Sequence, residues 1–561
     1  MPERSRDLIR RQMEESRDGL NRFGRMLVQQ GPGQVRFWFI ALALGVVAGA
    51  AAVGFRTAIY WLQARFYGAD DALYIHSFAE TLPWWYLVLV PVLGGLAVGV
   101  LLTRFTPDDR VRAVADVIEG AALYRGRVEI RAGLASAAAS LITLSSGGSS
   151  GREGPVVHLA GVIATWVSDR LDADGITGRD LLGCAVAAAV SASFNAPIAG
   201  TLFALEVVLR HFAMHAFAPI AIASVAGTVV SRLMLGDNTE FTLAPQLSLS
   251  FYGELPAFMI LGLFSGLVAV VLMRSIFFTD ALASHLQEKF RVPRVLQPAI
   301  AGGLLGVMAI WFPHIIGVGY ETTAMALHAR LSLHEAVLFV AMKIVAVAIT
   351  LAGRMGGGIF SPSLMVGALS GLAFGIVATA LVPQYSGTGE LYALAGMGAV
   401  AAAVLGAPIS TAMIVFEMTG DWQTGLAVMV AVSLSAALAS RLVARSYFLT
   451  QLENKGVRLS AGPQAYLLSV HSAALLMRSM DSPRAASAEV CRRMIESGLF
   501  IRPETTLEVA LPIFESEGCV FLPVITDGDG GEATLIGALF HVDALRAYNR
   551  ALAETAAEEH A

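Results

Sequence analysis

Charge is what this sequence has least of. Only 15% of its 561 residues are Asp, Glu, Lys or Arg, against 55% hydrophobic, where a soluble chain carries roughly 25% charged residues. That is too little charge to cover a soluble particle of 59.2 kDa, and the mean hydropathy of +0.64 marks an integral membrane protein. A basic surplus is also missing. Lys and Arg number 39 against 44 Asp and Glu, which removes the electrostatic basis for nucleic-acid binding. Cys184, Cys491 and Cys519 are scattered, with no CxxC pair, so neither a disulfide framework nor a thiolate metal site is indicated. The N-terminal stretch mixes both charge signs and has no early apolar run before a cleavage site, unlike a signal peptide. Glycine, by contrast, is plentiful at 55, as in membrane helices.

Arginines at 4, 6, 10, 11, 17, 22 and 25 precede the first long apolar run, which places that end in the cytoplasm. Apolar stretches then follow at 37–64, 83–103, 131–144, 155–168, 181–209, 216–235, 256–277, 296–311, 335–352, 363–382, 391–418 and 424–443. A full crossing needs about 20 residues, and several runs are shorter or interrupted by Gly or Pro. Broken helices at membrane depth are tolerated only where they line a cavity or pack inside protein, so a transporter or channel is favoured. The expected fold is an all-α polytopic membrane protein. A cytoplasmic amphipathic segment (1–35) leads into a membrane domain (36–452) with halves of about 36–236 and 255–452. A cytoplasmic α+β tail (453–561) follows, with strand-like CVFLPVIT and TLIGALF around the turn-rich DGDGGEA. With both termini cytoplasmic, the number of crossings is even, and the expected location is the inner membrane.

The halves repeat. Gly151-Arg-Glu-Gly-Pro155 precedes an apolar run, and Asn195-Ala-Pro-Ile leads to Glu206. Gly358-Ile-Phe-Ser-Pro362 does the same, and Gly406-Ala-Pro-Ile leads to Glu417. GxxxP recurs, and a glutamate stands nine residues after Pro197 and after Pro408. Interrupted helices in matching positions of two halves point to a transporter's substrate site.

SSGGSSGREGPVVHLAG, residues 145–161, runs small polar residues into an apolar helix with proline just inside its start, where no hydrogen bond is lost. Free N–H groups and the positive dipole end make such a start an anion site. GRMGGGIFSPSLMVGALSG, residues 353–371, repeats the device. Two such starts converging near midplane would hold a desolvated anion weakly enough for release. Glu153 stands out, because a carboxylate at membrane depth is costly and functional by default. It could fill the anion's place and leave when protonated, or it could simply pair with Arg152 or cap its helix. Glu206 and Glu417 each have the plainer reading of sitting at a helix end, pairing with Arg210 or bonding backbone amides.

GREGP, GIFSP and the paired API…E segments resemble the CLC family of chloride channels and chloride/proton exchangers, over roughly residues 35–450. The resemblance implies two inverted repeats of broken and tilted helices, and a homodimer with one anion pathway per subunit. It implies that Glu153 is the gate. Anion-binding positions would be Gly151, Arg152, Gly154, Gly358, Ile359, Phe360 and Tyr447. The substrate would be chloride or another small monovalent anion, with no cofactor, no metal and no enzymatic activity.

Two departures from the family pattern follow. The stretch aligned with the family's first anion motif is Val111-Arg-Ala-Val-Ala115, with Arg112 where a coordinating serine belongs. Arg112 is therefore an anion-binding candidate, or alternatively a charge of the cytoplasmic face. Exchangers usually carry a proton-transfer glutamate at the position of Val207, where channels commonly have valine. Passive conduction is the first reading and proton-coupled exchange the second, with protons as the added partner. The tail resembles a CBS domain: Asp543 falls at the ribose-binding aspartate, but Phe540 replaces the usual Ser/Thr, so stabilisation of a dimer is favoured over nucleotide binding. A rival from another class is an intramembrane serine protease, with Ser150 in a GxSG pattern and His158 or His215 as base. His211 and His215 have metal-like spacing but no HExxH.

Overall fold

The structure is a computed structural model. It describes residues 31–559 apart from 69–73, 174, 213, 238–240, 242–251, 458, 460–467, 469–470 and 528–532. Most of the N-terminal segment and of the DGDGGEA turn thus lie outside the described residues.

The first half runs through α1 (Gly31–Tyr67), α2 (Trp84–Phe105), α3 (Val114–Leu123), α4 (Ile130–Ser145), α5 (Glu153–Leu171), α6 (Gly175–Phe194), α7 (Pro197–Phe203) and α8 (Met214–Leu235). The second half repeats the order with α9 (Leu255–Phe290), α10 (Gln297–Trp311), α11 (Tyr320–Leu327), α12 (Leu333–Ala352), α13 (Phe360–Leu381), α14 (Gly389–Leu405), α15 (Pro408–Thr419) and α16 (Trp422–Leu442). Among the described residues, 8 helices are long and apolar enough to cross a membrane; α4, α7 with its π-helical extension, and α14 are shorter. Local chemistry sets many ends. Pro197 and Pro408 begin their helices, where a missing N–H costs nothing. Ser332 and Glu335 form a capping box on α12, and Asp421 caps α16 through Thr424 N–H.

The repeat is inverted, and small residues show it. Where α2 meets its counterpart α10, a Cβ on Gly95 would lie 2.2 Å from Pro298 O, and one on Gly99 would lie 1.9 Å from Val295 O. Reciprocally, a Cβ on Gly302 would lie 2.1 Å from Pro91 O, and one on Gly306 would lie 2.6 Å from Val88 Cα. Sequence number rises along one helix as it falls along the other, so equivalent helices cross antiparallel. Glycine is required there because the two backbones touch. The all-α polytopic fold expected from the sequence is the one observed, with α6 and α14, apolar all round, buried at the centre. Exposed Trp84, Trp85, Trp311, Leu233 and Leu381 face outward, as lipid contact demands.

After α17 (Tyr447–Asn454), the tail folds around its own core of Ile501, Leu507, Phe514, Leu522, Val524 and Leu539. Its sheet has the order β1 (Arg478–Ser479), β3 (Ala533–Phe540), β2 (Phe521–Asp527), antiparallel throughout. This is the small α+β unit expected. Ser472, Leu475, Glu504 and Thr506 of the tail border a cavity of 1120 Å³, together with Arg112 and Lys455 of the membrane domain. The tail therefore packs on the face that carries Arg112.

Candidate anion pathway and gate

Both GxxxP motifs become helix starts. Arg152 precedes α5, which opens at Glu153, and Ile359 precedes α13, which opens at Phe360. Pro155 and Pro362 sit in the first turns, so neither leaves an acceptor unmet. The two starts are tied directly: Gly151 N–H donates to Gly358 O and Gly358 N–H to Gly151 O, each at 2.7 Å. A Cβ on Gly154 would lie 3.0 Å from Gly358 Cα, so the approach needs a residue without a side chain. Two positive dipole ends are thereby held side by side.

A cavity of 120 Å³ lies against these starts, bordered by Glu153, Gly154, Gly358, Ile359, Phe360 and Tyr447. Aromatic packing fixes its walls. The Phe360 ring lies 4.9 Å from Phe194 and 6.0 Å from Phe203, and Tyr447 stacks on Phe277 at 5.4 Å. Arg110, Arg354, Asp280, Gln451, Asn454 and Lys455 border the same cavity. Arg354 stands within the glycine-rich lead-in to GIFSP; the other polar residues carry no recognisable spacing.

Glu153 is 3% exposed. Ser361 Oγ donates to its Oε1 at 2.6 Å, and Arg152 Nε lies 3.8 Å from the same oxygen. Ser361 stands in the GIFSP motif at the position matching Gly154, which was the available signal for it. Arg152 is as buried as its neighbour and turns away from the cavity. Its guanidinium reaches Ser193 O at 3.3 Å and Tyr60 OH at 3.4 Å, and lies 5.5 Å over the Tyr320 ring.

The remaining candidates divide. Gly151 and Gly358 use their amides on each other, so any free amides at these helix starts lie beyond them. Arg112 does not border this cavity; Val111, Ala113 and Val114 around it do. Its guanidinium binds Asp108 at 2.8 Å and Glu129 at 3.1 Å, with Asp116 at 3.9 Å. Burial works against its charge, but these carboxylates hold Arg112 above the ordinary arginine range. Val207 is buried in the π-helical turn Ala204–Leu209. Beside it, Glu206 accepts from Ile409 N–H at 2.9 Å and Ser410 N–H at 2.7 Å. Glu417 reciprocates on Ile198 N–H at 3.0 Å and Ala199 N–H at 2.7 Å. Each glutamate caps the opposite half's API helix.

Ser150 Oγ donates to Gly356 O at 3.1 Å. Among the described residues neither His158 nor His215 bonds it; His215 Nε2 lies 3.7 Å from Asp180. The protease reading finds no Ser–His pair.

Residues 94–440, more than half of the chain, match the family described as voltage gated chloride channel. The chain belongs to the CLC family. Its CLC relatives include a putative chloride channel protein ClcB-like of Ralstonia nicotianae, 31% identical over 70% of this chain and 91% of the relative. The voltage-gated ClC-type chloride channel ClcB of Escherichia coli is 29% identical over 72% of this chain and 95% of its own. Among solved structures, a slow cyanobacterial Cl⁻/H⁺ antiporter has a TM-score of 0.66 at 21% identity, covering 75% of this chain and 98% of its own. A eukaryotic CLC transporter has a TM-score of 0.64 at 17% identity, covering 91% and 98%. These likenesses show a shared CLC fold.

Proposed function

We propose that this CLC protein conducts chloride or a similar small monovalent anion passively across a membrane, with Glu153 as the gate. One observation carries the reading. A buried carboxylate sits where two helix starts converge, latched by a serine of the opposite half, beside a cavity of 120 Å³ lined by both starts. An anion there meets amide N–H groups and helix dipoles without a full positive charge, so binding stays weak enough for release. Glu153 supplies the competing negative charge; when it is protonated or swings aside, the place is free. Val207 offers no carboxylate for an inner proton step, and Glu206 is engaged as a cap, which favours passive flow. Proton-coupled exchange is the second reading, supported by the antiporter fold neighbours and by the titratable gate.

The anion-binding set is Gly154, Ile359, Phe360 and Tyr447, with Arg152 as the buried counter-charge behind Glu153. Arg112 serves the cytoplasmic face. The protein works as a homodimer in the inner membrane, both termini cytoplasmic. Residues 36–452 transport and 453–561 stabilise. Asp543, at the ribose position of the CBS-like unit, is bound by Arg478 at 2.7 Å, which argues against nucleotide sensing. Chloride efflux from proteoliposomes tests the gate. Efflux through the wild type should vary with pH, and a Glu153→Gln variant should give fast efflux that does not. Loss of all efflux in that variant would refute the gate assignment.

A further inference from the structure

Far from the tail, two imidazoles and a carboxylate meet outside every membrane span. His76 lies in the short helix Ile75–Ala79 between α1 and α2, and Glu80 closes that helix. His314 lies in the turn Pro313–Ile315 that follows α10. The end of α2 leads to the Arg112 cluster beside the tail, and Arg294, just before α10, pairs with Asp109 there at 3.3 Å. The start of α2 and the end of α10 therefore lie at the opposite face, which is the outward one if the tail is cytoplasmic.

One ligand atom from each of His76, Glu80 and His314 lies within 4.8 Å of the others. Two histidine nitrogens and one carboxylate oxygen form a ligand set for Zn²⁺ and similar first-row cations, with a position left for water. Three further observations point to a ligand. Glu321 Oε2 lies 2.9 Å from His76 Nδ1, which fixes the proton there and leaves Nε2 with the lone pair a metal takes. That carboxylate is itself anchored by the backbone N–H groups of His76 and Ser77 at 3.2 and 3.3 Å, the kind of outer support that orients metal-binding imidazoles. The buried Nδ1 of His314 has no hydrogen-bond partner; its ring stacks between His76 at 4.3 Å and Phe339 at 4.1 Å, so sharing an ion with His76 requires that ring to turn out of the stack.

The same loop reaches the gate. Glu321 follows Tyr320, whose ring lies under the Arg152 guanidinium, and Arg152 adjoins Glu153. From the other side, the fully buried Lys343 donates to Ile315 O at 3.2 Å and Gly317 O at 2.9 Å. Residues 313–321 are thus clamped between His76, α12 and Arg152. We propose that His76, Glu80 and His314, supported by Glu321, bind a Zn²⁺-class cation on this face, and that occupancy slows anion flux by stiffening the loop behind Arg152. The binding half stands by itself; the flux half rests on the gate reading above.

The test is calorimetric titration of Zn²⁺ into tag-free, chelator-stripped full-length protein, followed by anion efflux with Zn²⁺ on the outward face. One equivalent per chain is expected. His314→Ala and Glu80→Gln should each weaken binding at least tenfold, and Glu321→Gln should weaken it about tenfold. His215→Ala, on a different cluster, should change nothing. Zn²⁺-free efflux through the variants at the wild-type rate shows that they are folded. Absence of a single saturable site, or equal affinity in wild type and His314→Ala, would overturn the site. Binding with unchanged efflux would overturn the coupling while leaving the site, and binding without any anion efflux would instead contradict the gate reading.

Discussion

Ser361 donates its hydroxyl hydrogen to Glu153 Oε1 at 2.6 Å, joining the two halves of the chain at the proposed gate. A hydrogen bond to a charged group contributes about 1.5–3 kcal/mol. Ser361→Ala should therefore free Glu153 to leave its place more often, raising anion efflux at neutral pH severalfold or more. Efflux equal to or below the wild type's would show that the serine does not hold the gate shut.

Close backbone approach makes a second prediction. Gly357 has φ +136, and a Cβ there would lie 2.0 Å from Ser150 Oγ. Gly154→Ala meets Gly358 Cα at 3.0 Å. Both substitutions should push the paired helix starts apart and abolish conduction, with Gly357→Ala also lowering the yield of folded protein. Gly303→Ala, which meets only the Val92 side chain at 3.4 Å, should behave as wild type. Parallel efflux and size-exclusion measurements distinguish the three.

The reciprocal caps predict a stability effect without a transport effect. Glu206→Ala leaves Ile409 and Ser410 N–H without acceptors, and Glu417→Ala does the same to Ile198 and Ala199. Each should cost about 1–2 kcal/mol, read as a lower Tm in detergent. Anion selectivity should be unchanged in both. A Glu206→Ala protein with full stability and altered ion coupling would instead place that carboxylate in the transport path.

Arg112 is tested by the same logic. Its guanidinium faces Asp108 and Glu129, so Arg112→Gln should leave chloride-over-nitrate preference unchanged while lowering Tm. The stability difference should depend on pH. Burial alone would raise the Asp108 carboxyl, but the Arg112 hydrogen bond and charge bring it below its ordinary range. A depressed carboxylate contributes stability above its unfolded pKa and loses it as pH falls through the folded value. The Tm gap between wild type and Arg112→Gln should thus shrink below about pH 4. A changed anion preference would return Arg112 to the pathway.

Much of the fold was legible because it is written twice. GREGP and GIFSP share proline placement, and the glutamates after Pro197 and Pro408 share a spacing of nine, so duplication could be read before any contact was known. What the spacing could not reveal was the direction of those contacts. Glu206 looks like the end of its own helix, yet it caps a helix that starts more than two hundred residues later, because inversion brings equivalent segments face to face. The motif comparison put Arg112 among residues that border the cavity, but its side chain turns to Asp108 and Glu129, acids with no pattern to announce them. His76 and His314 gave no signal either. Each is a lone histidine between apolar runs, and only the antiparallel packing of α2 on α10 brings them together.

The most direct test of the whole account is the reversal potential of purified protein in a planar bilayer, under a fixed chloride gradient with a pH gradient added. Passive conduction through the Glu153 gate predicts a potential that stays at the chloride Nernst value whatever the pH gradient. A potential that moves with the pH gradient would contradict it, and would mean that protons cross with the anion by a route that does not need a glutamate at position 207.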